Sequence, residues 1–471
     1  MNKRQAGVLL HPTSLPNPNG KPGQLNDQAW SFLDWMESAG LSIWQMLPLT
    51  EPHDDLSPYQ AVSAFALNPA LLPDDWETYI KPVEFALYMA NPPHWLEDYA
   101  LFMVIRANQN HASWSQWPVG LKNRDTNVLQ AFSVNNAEKL IELKKQQFVL
   151  SVIWRKLKKE ANQKGIQLFG DMPIFVAFDS ADVWANPDQF QLDEALNPTV
   201  VTGVPPDYFS ETGQRWGNPH YNWQVMQADG FSWWRKRVAE ALKQFDLVRI
   251  DHFRGLEAAW EIDAKEETAI NGHWVKTPGE ALLDALQNDF PDLPLVAEDL
   301  GIITDEVVAL KEKYALPGMS VLQFGFNGLP DNPHSLYEQV ENSVTYTGTH
   351  DNDTSLGWFE SLDDGAKHWV MEQLIPLAKD KVAQAGLPEE LSVNMPWPLI
   401  IAALESVATR VIVPMQDFLM LDASQRMNVP GTSEGNWGWQ FEWSQVPDEL
   451  AKHIKALVLH SNRLGDVHEK Q

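Results

Sequence analysis

Short apolar runs recur along this chain, each followed by a loop and an amphipathic stretch. They are AGVLL at 6–10, SIWQMLPL at 42–49, IQLFGDMPIF at 166–175, LVRID at 247–251, LVAEDL at 295–300, SVLQFGF at 320–326, VTYTGTH at 344–350 and VIVPMQ at 411–416. Their near-continuous apolar character marks strands of a parallel sheet covered on both faces. Between them, helical spacing of apolar residues predicts helices over 27–39, 146–163, 231–244, 280–288, 304–314 and 399–408. This alternation predicts the α/β class, and eight runs are the number a (β/α)8 TIM barrel needs. An open doubly wound sheet is the alternative. No GxGxxG or GxxxxGK[ST] loop follows any run, so the barrel is preferred.

Two connections are too long for simple strand–helix units. Residues 50–145, rich in Pro and Trp, read as an inserted subdomain, and 176–230 as an inserted loop or lid region. Both belong to one barrel spanning 1–471. Long loops of this kind are usually lids or binding loops, and in a barrel the loops after strands build the active-site face.

Composition narrows the ligand. The chain has 471 residues, with 35 Lys+Arg against 63 Asp+Glu, a formal net charge of −28. That balance argues against nucleic acid and anionic membrane surfaces as partners, since both are held by Lys and Arg. Cysteine is absent, which excludes disulfides, thiolate metal sites and a cysteine nucleophile. The first apolar stretch is too short for a signal peptide and no window reaches membrane-span length, so a soluble cytoplasmic protein is the expectation. Trp is abundant, at 21 residues, with 20 Phe and 9 Tyr. These aromatics serve either a large core or flat platforms for sugar rings; Trp184, Trp216, Trp358 and Trp437 are the candidate platforms.

The C-terminal ends of the later runs carry charge: Asp171, then Arg249 with Asp251 and His252, then Glu298 with Asp299, then His350 with Asp351 and Asp353. A lone strand-end Asp usually caps the next helix. Several on one rim repel, and are kept where a metal or a cationic transition state uses them. Two chemistries fit: a divalent metal site, or glycoside chemistry with a carboxylate nucleophile and a carboxylic acid. Arg249 and Asp251, two apart in a strand, face the same side. The cation is expected to lower the pKa of Asp251 and keep it ionised. His11 either binds a donor hydroxyl or satisfies the barrel mouth, and the cluster 53–55 reads as a solvated loop rather than a calcium site.

RIDH at 249–252, LVAEDLG at 295–301 and TGTHDNDT at 347–354 resemble segments of the α-amylase clan of retaining glycosidases. HPTSLP, SPYQ with SAFALNP, DMPIFVAFDSADVWANP, GVPPDYFSETGQRWGNP, RIDHFRG, PGMSVLQF and RMNVPGTSEGNW narrow the resemblance to the amylomaltase, or disproportionating-enzyme, family of 4-α-glucanotransferases. The resemblance implies a retaining transfer of an α-1,4-glucan segment to the 4-hydroxyl of glucose or a maltooligosaccharide. It implies Asp251 as nucleophile, Glu298 as general acid/base and Asp351 as transition-state stabiliser. It further implies substrate contacts at Tyr59, Arg249 and His350, and a loop bearing Tyr208 and Phe209 that closes over the donor. Asp171 and Trp216 join the candidate substrate contacts through their places on the rim and among the aromatic platforms. No cofactor, no obligatory metal and no C-terminal β-sandwich are expected. The chain departs from the family pattern at GKPGQLND (20–27), at Asp55-Leu56, at Leu67 and at Gln440, none of them among the three carboxylates. An α-glucan hydrolase with a wetter site, and a non-catalytic glucan-binding protein, are the competing readings.

Overall fold

The computed structural model describes residues 4–206 and 210–465. Twelve strands lie among the described residues. They are β1 (Gln5–Leu9), β2 (Ile43–Gln45), β3 (Gln167–Pro173), β4 (Val200–Val204), β5 (Gln214–Pro219), β6 (Leu247–Asp251), β7 (Ala258–Asp263), β8 (Gly272–Lys276), β9 (Leu295–Ala297), β10 (Gly318–Val321), β11 (Ser343–Tyr346) and β12 (Arg410–Pro414). Eight of them form one parallel sheet in the order β10-β11-β12-β1-β2-β3-β6-β9. Its two ends meet: the Ala297 N–H donates to the Pro317 carbonyl at 2.9 Å, and the Met319 N–H to Asp299 Oδ1 at 2.7 Å. The fold is a (β/α)8 TIM barrel, as the alternation of apolar runs predicts.

Strand periodicity separates two cores. Leu9, Ile43, Phe169, Leu247, Val296, Met319, Val321, Val344, Tyr346 and Ile412 fill the barrel interior. Their neighbours Val8, Trp44, Leu168, Val248, Leu295 and Val411 face the helices. Because successive side chains alternate, the apolar runs lack a polar face even though each strand has two sides. The interior is tight. A Cβ on Gly7 would lie 2.4 Å from the Ile43 carbonyl oxygen and 2.8 Å from Ile412 Cδ1, so only glycine fits between those strands.

The first helix, Asp27–Ala39, has the bounds its pattern predicts. The Asn26 side chain accepts the Gln28 N–H at its start, and Gly40 at φ 71° ends it. The helix expected from 146 runs Ala137–Gln163, beginning earlier on a polar stretch. Run six is a strand only to Val321; Leu322–Gly325 turns as a 3-10 segment and leaves Phe324 44% exposed. The longest helices outside the predicted ranges and the 50–145 region are Asp364–Gln384, which contains Pro376, and Leu450–His460. A second sheet, antiparallel in the order β5-β4-β7-β8, was not predicted. It pairs two strands of the 176–230 region with two from the connection after β6, so these two loops of the barrel mouth brace each other.

Candidate active site

Register sets the site. Across β3 and β6, Asp171 stands opposite Arg249 and Pro173 opposite Asp251; across β6 and β9, Ile250 stands opposite Ala297. Asp251 and Glu298 are therefore the next residues on adjacent strands, whose backbones run about 4.8 Å apart. The chain leaves β6 through His252, in the left-handed region at φ 52°. That turn aims the His252 N–H at Glu298 Oε2, 2.6 Å away, while Leu300 N–H donates to Oε1 at 2.9 Å.

Arg249 is the hub. Its side chain is 5% exposed, and Nη2 lies 2.8 Å from both Asp171 Oδ2 and Asp251 Oδ1. Nε also donates to Asp171 Oδ2 at 3.0 Å. The Tyr59 hydroxyl donates to the same Asp171 oxygen at 2.7 Å and lies 2.9 Å from His350 Nε2. The Tyr59 and His350 rings stack at 5.3 Å. His350 Nε2 lies 3.3 Å from Asp351 Oδ2, and Asn428 Nδ2 donates to Asp351 Oδ1 at 2.6 Å. One connected array thus runs from Glu298's neighbour Asp251, through Arg249, Asp171, Tyr59 and His350, to Asp351.

Each carboxyl titrates differently. Burial pushes Glu298 up to about 8, with Asp251's charge adding to it and Arg249 opposing. Asp251 rises to about 6, contrary to the lowering expected from Arg249 alone. Burial is the largest cause, Arg249 opposes it, and Asp171 and Asp351 reinforce it. For Asp351 burial also acts upward, but the His350 ring and hydrogen bonds from His350 and Asn428 win and hold it well below the carboxylate range. Burial, then the charge on His350, lowers His11 to about 3, so its ring is neutral beside the mouth.

The other candidates divide. Asp171, expected among the substrate contacts, has a side chain only 1% exposed and is taken up by Arg249 and Tyr59. Trp216 stands edge-on to the His252 ring at 4.8 Å and is partly buried. Tyr208 and Phe209 lie outside the described residues. Trp184 is core, 1% exposed, with its N–H on the Leu121 carbonyl at 3.1 Å. Trp358 packs on Phe326 at 5.7 Å, away from the array. Trp437 lies 5.9 Å from both the Tyr59 and His350 rings. Asp299, read with the rim carboxylates, instead stitches β9 to β10 and pairs with Lys311 at 2.5 Å. Asn428 lies in the RMNVPGTSEGNW segment, but 77 positions from Asp351, and nothing in the sequence marked that residue as a partner of the carboxylate. Among the described residues no cluster of three or more His, Cys, Asp or Glu is arranged to hold a metal ion. None of their helices is long and apolar enough to cross a membrane.

A TIM barrel whose C-terminal mouth gathers carboxyls around one buried arginine defines the class, a (β/α)8-barrel enzyme. A family model described as 4-alpha-glucanotransferase matches residues 10–77 and 74–445. The 4-alpha-glucanotransferase of Thermus thermophilus is 42% identical over 98% of this chain and 99% of its own. The chloroplastic/amyloplastic 4-alpha-glucanotransferase of Solanum tuberosum is 39% identical over 97% of this chain and 85% of its own. Among solved structures, the amylomaltase from Streptococcus agalactiae in complex with acarbose superposes with a TM-score of 0.90 at 31% identity, covering 98% of this chain and 100% of that one. The chain belongs to the 4-alpha-glucanotransferase family.

Proposed function

We propose that this protein is a 4-α-glucanotransferase that moves an α-1,4-glucan segment from a donor to the 4-hydroxyl of glucose or a maltooligosaccharide through a covalent glycosyl–Asp251 intermediate. The observation that carries the mechanism is the adjacency of Asp251 and Glu298 on neighbouring strands, with Arg249 on one oxygen of Asp251. A retaining pair works at about 5–5.5 Å, close to the interstrand spacing.

In the first step an Asp251 carboxylate oxygen attacks the anomeric carbon. The glycosidic C1–O4 bond breaks, and O4 of the leaving glucan takes the proton of Glu298. The developing oxocarbenium charge faces Asp251 and Asp351, and Asp351's depressed pKa keeps it anionic for that task. Ester formation removes the charge on Asp251, the second cause of Glu298's raised pKa. The pKa of Glu298 then falls, so after giving its proton to O4 it stays ionised and free to accept one. It takes the proton from the acceptor's 4-hydroxyl, whose oxygen attacks C1, and Asp251 leaves as carboxylate. Arg249, Tyr59 and His350 hold the donor sugar and the acids in register.

Incubation with maltotriose tests the transfer: glucose appears with a ladder of longer glucans, while the number of reducing ends stays constant. Reducing ends that rise without longer products mean hydrolysis. Asp251→Asn and Glu298→Gln each lower kcat by about 10³-fold or more, and full activity in either removes its assigned role.

A further inference from the structure

The loop that carries His350 and Asp351 begins at Thr347, just past β11, and ends at Ser355, the first residue of the helix Ser355–Ser361. Both ends arrive at one carboxyl group. Thr347 Oγ1 donates to Asp417 Oδ2 at 2.6 Å. Ser355 donates twice, from its N–H to Oδ1 at 2.7 Å and from Oγ to Oδ2 at 2.6 Å. Asp417 is 1% exposed and sits in the short turn Met415–Phe418 that leaves β12, the strand beside β11. The Coulombic and desolvation cost of such a group is tolerated when all its lone pairs have work to do.

Between its clamped ends the loop is folded on itself. The N–H and Oγ1 of Thr349 both donate to Asn352 Oδ1 at 2.8 Å, and Thr354 Oγ1 caps the next helix by accepting the Gly357 N–H at 3.0 Å. Gln323 Nε2 donates to the Asp353 carbonyl at 2.9 Å. Gly348 leaves room for that side chain, since a Cβ there would lie 2.6 Å from Gln323 Nε2. A loop so tied internally moves as a unit; Gln323, Arg426, Asn428 and Tyr59 touch its middle, while Asp417 holds both of its ends.

We infer that Asp417 is a positioning residue for the reaction: one buried carboxylate clamps both ends of the 347–355 loop and so fixes where His350 and Asp351 stand relative to Asp251. The inference rests on the role given to Asp351 above. A displacement of about 1 Å at the reacting groups is enough to cost on the order of 10²-fold in rate.

Three variants test it. Asp417→Ala removes every acceptor, and kcat falls about 10- to 100-fold. Asp417→Asn restores most of that loss. Its amide oxygen accepts the Ser355 N–H, and its N–H groups serve Thr347 and Ser355 hydroxyls, which accept as readily as they donate. In an Asp351→Asn background, Asp417→Ala costs less than about 3-fold more, because the two act through the same group. Losses that multiply in full, an unchanged kcat in D417A, or a D417N as slow as D417A overturn the clamp. If D351N itself keeps full kcat, the role of Asp351 fails first and the clamp with it. Should D417A not fold, T347V removes one arm at nearly constant volume and is expected to show the same pattern: a smaller kcat loss that shrinks further in the Asp351→Asn background. A T347V that folds and keeps full kcat overturns the clamp.

Discussion

Glu298 keeps its proton at a pH where an exposed glutamate has lost it. Burial and the neighbouring Asp251 lift it to about 8, while Asp251 itself stands at about 6. The proposed mechanism requires Asp251 ionised and Glu298 protonated. For the free enzyme this predicts a bell in kcat/KM, with limbs near pH 6 and pH 8 measured on a maltooligosaccharide donor. Glu298→Gln removes the alkaline limb from what activity remains. The same shift also affects stability. In the unfolded chain Glu298 ionises near its ordinary value, whereas in the fold it holds the proton to about 8. Across that interval the unfolded state binds fewer protons, so stability falls as pH rises. Glu298→Gln is thus expected to raise Tm by on the order of 2 °C at pH 8.5, with no gain at pH 4, by calorimetry. A variant less stable than the parent at pH 8.5 contradicts the assignment of a strained acid. At this scale the three carboxyls were legible because each ends a recognisable run. The direction of Asp251's shift was not, because only the folded chain shows how much water is withheld from it.

Between β9 and β10 the barrel has no ladder, and a side chain takes its place. Asp299 accepts the Met319 N–H and pairs with Lys311, closing the sheet where main-chain pairing stops. Gly318 makes the path possible: a Cβ there would lie 2.3 Å from Asp299 Oδ2. Asp299→Ala leaves a buried N–H and a partly buried ammonium without partners. It is expected to cost about 2–4 kcal/mol in denaturant unfolding; a loss under about 0.5 kcal/mol means the seam is held by packing. The sequence placed Asp299 on the rim beside Glu298 because adjacent letters at a strand end cannot be told apart by type. One points along the mouth and the other across the seam. The eight strands of the barrel were legible because burial on both faces makes them apolar throughout. The helix Asp364–Gln384 was hidden by Pro376 and by apolar residues spread around its circumference. The antiparallel sheet was hidden because its strands are short and mixed in polarity, as in AAWEID and GHWVK, and gain their burial only from each other.

At the scale of the molecule, the proposed transfer is a contest between an acceptor sugar and water for one ester. Every connection that follows a barrel strand starts at the same mouth, and those after β3, β6 and β12 are among the ones long enough to fold over it. The loop after β12 is pinched at its base, where the Trp437 N–H donates to the Met427 carbonyl at 2.7 Å. From that loop Asn428 reaches Asp351, and Trp437 stands beside Tyr59 and His350. Trp437 takes the left-handed φ of 66° that brings its ring over the array. A large apolar ring there removes water from one wall of the site without supplying a proton acceptor. Trp437→Ala therefore opens that wall. With maltotriose, its transfer rate is expected to fall about 3- to 10-fold while the fraction of turnovers that create a new reducing end rises about 10-fold. The two readouts separate shielding from simple damage to the site. Damage to the array slows transfer and hydrolysis together and leaves their ratio unchanged, whereas loss of a water barrier moves the ratio, because an acceptor sugar must still be bound and a water molecule need not be.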